Sequence, residues 1–186
     1  MCDLHQRIFV ACPPSEAMVQ VGSFFRDRRP AGTEMDLSQP VSLALRAPVM
    51  LPSLRTAIVL QRDIVATLRE VAERGASLAR IHVDWEPAGG GPFPRFHGSI
   101  SAEPSEGYDG CCLVLEGAYE PPAGGGGESF DLAVGHRIAL ATARSLLGEV
   151  RDAVERSYKA SEFAKRVRRA GIERAAPAPF TPPFRG

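Results

Sequence analysis

The sequence predicts an α+β fold, a curved antiparallel sheet wrapped around one long C-terminal helix. Three observations carry this expectation. Period-2 alternation of apolar and polar residues fills three runs between Ala79 and Tyr119. Two segments rich in Gly and Pro separate those runs. Beyond the glycine run 124–127 the apolar period changes from 2 to 3.6, with no proline until Pro177.

In chain order, Gln6 to Ala11 is short, apolar and rich in β-formers, and reads as a first strand. Pro13-Pro14-Ser15-Glu16 suits a helix start, because proline tolerates the first turn and Glu complements the dipole there. Met18, Val21 and Phe25 then recur at helical spacing, predicting a helix from Pro14 to about Arg26. Arg28 to Pro40 has no periodicity and reads as a loop. Val41 to Ala47 alternates and reads as a half-buried strand. Thr56 to Glu73 is compatible with either state: Ile58, Leu60, Ile64, Ala66 and Leu68 fit period 2, whereas local propensity slightly favours a helix.

The next three runs form an antiparallel meander. Ile81, Val83 and Trp85 alternate with Arg80, His82 and Asp84. Phe96, Gly98 and Ile100 alternate with Arg95, His97 and Ser99. Leu113, Leu115 and Tyr119 share a face opposite Cys112, Val114 and Glu116. A long helix is expected from Ser129 to about Ala160. At 100° per residue, Leu132, His136, Ala139, Ala143, Leu146, Val150 and Val154 fall within about 40° of one line. That face must be buried, and the meander is the large apolar surface available to it.

Charge and cysteine usage bound the function classes. Lys+Arg and Asp+Glu balance at 22 each among 186 residues, and the sequence pI is about 6.9. A protein that neutralises many phosphates carries a basic excess or a clustered basic face. The predicted globular part has neither, so nucleic acid is not expected as a partner. No 18-residue apolar run offers a membrane span, so no stable membrane insertion is expected. The N-terminus lacks the pattern of a signal peptide. Cys2, Cys12, Cys111 and Cys112 form no C-x-x-C pair, and the expectation is a reduced, cytoplasmic protein with free thiols.

Strand, helix, several antiparallel strands and a long C-terminal helix is the element order of the START-like (helix-grip, SRPBCC) superfamily. Local stretches are similar as well. Val83-Asp84-Trp85-Glu86-Pro87, Phe93-Pro94-Arg95-Phe96-His97-Gly98 and Leu115-Glu116-Gly117-Ala118-Tyr119-Glu120-Pro121-Pro122 resemble uncharacterised bacterial members of that superfamily. So do Gly135-His136-Arg137-Ile138-Ala139 and Ser145-Leu146-Leu147. The resemblance covers about residues 5 to 158 and implies strands in Thr56 to Glu73. It also implies an apolar ligand cavity between sheet and helix, as in the superfamily's lipid-transfer domains, pollen allergens and polyketide cyclases. Arg28 to Pro40 departs from relatives that carry a second helix there. The resulting domain reading is a START-like domain over residues 1–160, followed by a basic helix end and Pro-rich disordered tail over 161–186.

On this reading Trp85, Phe96, Leu115, Tyr119 and His136 are the candidate ligand-binding residues. The rings and Leu115 fall in phase with the apolar strand faces, where the alternatives are pocket lining and ordinary core. Gly98, Gly117, Ala139 and Ala143 either let helix and sheet approach closely or leave room for a ligand. His136, one turn inside the long helix, suits a hydrogen bond to a ligand carbonyl or acid–base work; a backbone-bonded helix-start histidine is the plainer reading. His82 and His97 fall on the polar faces. No third partner builds a triad or metal site. The runs 89–91 and 124–127 lack the G-x-x-x-x-G-K-[ST] pattern, and no cofactor is expected.

The leading expectation is therefore a binding protein for a small hydrophobic, lipid- or polyketide-like ligand. The alternative is a polyketide cyclase- or dehydratase-type enzyme using the same cavity. Pro179-Phe180-Thr181-Pro182 fits P-x-x-P, a weak pattern for a protein partner at the C-terminal tail.

Overall fold

The computed structural model describes residues 1–28, 41–51, 56–71, 80–88, 95–107, 110–120 and 128–175. The elements are β1 (Cys2–Val10), α1 (Pro14–Arg26), β2 (Val41–Leu51), β3 (Thr56–Val71), β4 (Arg80–Pro87), β5 (Arg95–Pro104), β6 (Cys111–Glu120) and α2 (Glu128–Ala175). The fold is α+β: a six-stranded sheet in the order β1-β6-β5-β4-β3-β2 with a long C-terminal helix. Every neighbouring pair is antiparallel.

The first strand starts earlier than its apolar run suggests. Its ladder with β6 reaches back to the pair Cys2 and Tyr119. Leu4 and Val10 are buried, and the intervening Asp3, His5, Arg7 and Phe9 are exposed, so Cys2–Val10 obeys period 2 throughout. The meander then returns to this strand: β6 pairs with β1, leaving β1 and β2 as the two edges. Helix α1 lies in the chain between them. It begins with Pro14 in the first turn and Glu16 toward its N-terminus, and buries Ala17, Met18, Val21, Phe24 and Phe25. Phe24 and Phe25 meet edge to face at 5.0 Å, and the Arg28 guanidinium lies 3.6 Å over the Phe24 ring.

Thr56–Val71 is a strand, 16 residues long. Local propensity pointed weakly to a helix. Ladders on both sides, to β2 and β4, supply hydrogen bonds and burial that outweigh tenths of a kcal/mol per residue. Strand β2 also runs past the expected Ala47, through Pro48, to Leu51. An edge position makes this feasible, since proline withholds a donor only from the unpaired side.

Helix α2 buries the expected line: Ala139, Ala143, Leu146, Val150 and Val154 are each 0% exposed. Arg137 and Arg144 lie outside it, whereas Leu132 lies where side chains are not described. The backbone of α2 runs close to β1 and β2, meets β6 more lightly, and stands back from β3, β4 and β5. It thus bridges the two edges of the curved sheet, and large side chains occupy the space beneath it. Full burial of each Leu or Val on this line contributes about 1.5–3 kcal/mol.

The helix also runs on to Ala175, past the expected end near Ala160. Residues 161–175 contain mainly Ala, Glu, Lys and Arg, all strong helix formers, and no proline. Lys165 and Glu162 add an i,i+3 ion pair of 2.8 Å. The loop expected from Arg28 to Pro40 is described only at Arg28, a turn residue, and both glycine runs and the tail 176–186 lie outside the described residues. No helix of the described residues is long and apolar enough to cross a membrane.

Candidate functional site

The inner face of the sheet carries one row of side chains across all six strands. Register places Val41, Ala66, Trp85, Phe96, Tyr119 and Cys2 side by side in that order. The rings of Trp85 and Phe96 stack at 4.1 Å with planes 19° apart. Tyr119 is 1% exposed, and its hydroxyl meets Nδ1 of His136 at 3.0 Å. Four of the five sequence candidates therefore converge at one end of the sheet, near the start of α2. The fifth, Leu115, is fully buried further along β6, level with Ile81 and Ile100.

The next row explains how the rings fit. Gly98 and Gly117 face each other across β5 and β6. A Cβ on Gly117 would lie 2.9 Å from Cζ of Phe96, and one on Gly98 would lie 2.8 Å from Cε1 and closer still to Cζ. The two glycines thus make room for the Phe96 ring. Trp85, Phe96, Leu115 and Tyr119 are each no more than 2% exposed. The aromatic row is buried, with Trp85 also bordering a cleft on the opposite face of the sheet.

Two polar groups in this apolar setting are distinctive. Trp85 Nε1 is buried and makes no hydrogen bond among the described residues; an unpaired buried donor costs about 1–3 kcal/mol. Burial, then the neighbouring Cys2 thiol, pushes the Tyr119 hydroxyl up to about 12. Tyr119 thus keeps its proton near neutral pH and can donate it in a hydrogen bond to Nδ1 of His136. In that tautomer the ring proton of His136 sits on Nε2. His136 itself is exposed, so the helix line turns to solvent at this residue. Cys2 was not legible as a member of the site, because its strand was expected to begin at Gln6; continued alternation through Leu4 was the available signal.

The opposite face is polar, and His82 and His97 are exposed on it, as expected. His97 Nδ1 lies 3.2 Å from Asp84. Arg80 reaches Glu116 at 3.0 Å, bridging β4 and β6 across β5, and Arg7 reaches Glu103 at 2.9 Å across β6. Those straps leave Ser99, Ser101 and Val114 buried although they point outward. Two clefts lined by described residues open on this face. A shallow one of about 540 Å³ runs past Asp3, His5, His82 and Glu116. A smaller one of about 180 Å³ lies among Val65, Thr67, Asp84, Glu86, Arg95 and His97, and Trp85 also borders it. Among the described residues, no group of three or more His, Cys, Asp or Glu is placed to hold a metal ion.

No family model and no curated protein matches the sequence. Among solved structures, the chain is similar to the crystal structure of TTHA0849 from Thermus thermophilus. The TM-score is 0.46 at 13% identity, over 83% of this chain and 98% of that chain.

Proposed function

We propose that the chain is a START-like, helix-grip binding protein that holds a small hydrophobic ligand between the sheet and the C-terminal helix. Trp85, Phe96, Leu115, Tyr119 and His136 line the ligand's place. The observation that carries this reading is the unpaired, buried Trp85 Nε1 beside a stacked aromatic row. A ligand with an apolar body and a carbonyl or carboxylate oxygen satisfies that donor and recovers its cost. Because these rings are buried, a ligand reaches the Trp85 donor only when the stacked row shifts. Four free cysteines, two of them buried, support a reducing and therefore cytoplasmic setting.

Trp85 is the sole tryptophan, so its emission reports this site directly. The test pairs native mass spectrometry of the protein as purified, its lipid extract analysed alongside, with fluorescence titration of the delipidated protein by palmitate and by hexadecane. A co-purifying hydrophobe, together with saturable quenching by palmitate stronger than that by hexadecane, is the expected result. No co-purifying molecule and flat emission with both probes would sink the proposal.

The 3.0 Å contact between Tyr119 and His136 favours a second reading, a cyclase- or dehydratase-type enzyme acting on a hydrophobic substrate in the same place. Tyr119, protonated at neutral pH, would donate to a substrate carbonyl, and His136 would take a proton. Unchanged turnover in a His136→Ala, Tyr119→Phe double variant would remove this reading.

A further inference from the structure

The last part of α2 leaves the body of the fold. From Lys159 to Ala170 every residue is exposed except Ser161 and Glu162, which are half-buried. Lys159 to the helix end at Ala175 spans about 25 Å at the usual helical rise. Two large apolar side chains stand in solvent on this segment, Phe163 at 69% and Val167 at 55% exposure. On a wheel of 100° per residue they share an arc of about 120° with Ala160, Ala164 and Ala170. Lys159 and Arg166 border that arc on one side and Arg168 on the other. Residues 159–170 hold five basic side chains (Lys159, Lys165, Arg166, Arg168, Arg169) against one acid, Glu162, a local charge of +4 in a chain of net charge zero. Among the described residues, Arg166, Arg168 and Arg169 have no acidic partner within ion-pair distance.

We propose that this segment is a docking surface for an anionic phospholipid bilayer, on which it lies flat with Phe163 and Val167 set between headgroups. The charge of the segment excludes a second copy of this helix, because two such segments repel. A protein groove that captures a helix is filled by large anchors at i, i+3 or i+4, and i+7. Here only Phe163 and Val167 are large, and the rest of the stripe is alanine. Shallow apolar insertion combined with basic flanks suits the interfacial mode, in which charge carries most of the binding. This surface is separate from the ligand site and stands whether or not that site binds.

The test uses the full chain in vesicle co-sedimentation, with phosphatidylcholine alone and with phosphatidylserine added. Binding to the phosphatidylserine vesicles only, released by high salt, is the expected result. Each basic residue near such a surface strengthens binding roughly fivefold. Arg166→Ala with Arg168→Ala should therefore weaken binding about thirtyfold. Phe163→Ser with Val167→Ser should weaken it at least about tenfold, by roughly the transfer term of an inserted Phe. All four residues are exposed, so far-UV circular dichroism and melting should not change. Equal binding to both vesicle types, no binding at low salt, or full binding by either double variant overturns the proposal. So does loss of binding in a Phe180→Ser, Phe184→Ser variant that leaves the helix intact.

Discussion

Replacing Gly98 by alanine should destabilise the fold by about 3 kcal/mol, near the upper end for overpacking a core. A Cβ at this position would fall 2.8 Å from Cε1 of Phe96 and closer still to Cζ and to the Glu116 carbonyl oxygen on β6. Carbon atoms in contact prefer about 3.5–4.0 Å, so the ring must retreat by roughly 0.7 Å or more. It has nowhere to go, because the Trp85 indole lies stacked on it at 4.1 Å. The Glu116 oxygen is backbone within the β5–β6 ladder and yields even less. Urea unfolding followed by Trp85 emission measures the effect as a lowered midpoint at constant slope. A Phe96→Leu, Gly98→Ala double variant should show a smaller loss than the sum of the single changes, since part of the clash disappears with the ring. A cost under about 1 kcal/mol for Gly98→Ala, or strict additivity in the double variant, would refute the account of Phe96 lying over the glycine pair.

Tyr119→Phe removes the hydroxyl that meets His136 at 3.0 Å, and should cost about 0.5–1.5 kcal/mol in the same urea assay; a neutral result would mean that the contact contributes nothing to the site. Burial pushes the Cys12 thiol up to about 12 and the Cys111 thiol up to about 11, both from an ordinary 9.0, and Tyr119 rises from 10.0 to about 12. Between the ordinary and the folded values the unfolded chain has released protons that the folded chain retains. Stability is therefore fully present below about pH 9 and falls as pH rises toward 11–12, by up to about 1.4 kcal/mol per pH unit for each group. Melting curves that stay level across that window would contradict the burial of these groups. With a thiol reagent at neutral pH, partly exposed Cys2 and Cys112 should label first, and buried Cys12 and Cys111 should label at the rate of unfolding; four equally fast thiols would be the contrary result.

The sequence by itself determined the elements whose periodicity is local. Alternation in Ala79–Glu86, Arg95–Ala102 and Cys111–Tyr119 located three strands, because a half-buried antiparallel strand writes its two faces into consecutive residues. The line Ala139, Ala143, Leu146, Val150 and Val154 located the buried face of α2 for the same reason at period 3.6. Trp85, Phe96 and Tyr119 were legible as residues of the apolar strand faces, and His136 as part of the helix line, from which the structure turns it to solvent. That Trp85, Phe96 and Tyr119 stand side by side took the strand register, which no single run contains. Tertiary structure decided the rest. Thr56–Val71 is a strand because partners on both sides hydrogen-bond it, which its own propensities do not encode. Cys2 stands beside Tyr119 because the β1–β6 ladder extends to the start of the chain, a long-range pairing that no local window contains. The two glycines, which in sequence suggested either close packing or an open void, were settled by a ring from their own sheet, with Phe96 folded over both. Whether small residues leave room or give it to a neighbour depends on a rotamer and a cross-strand register, and those exist only once the chain has closed on itself.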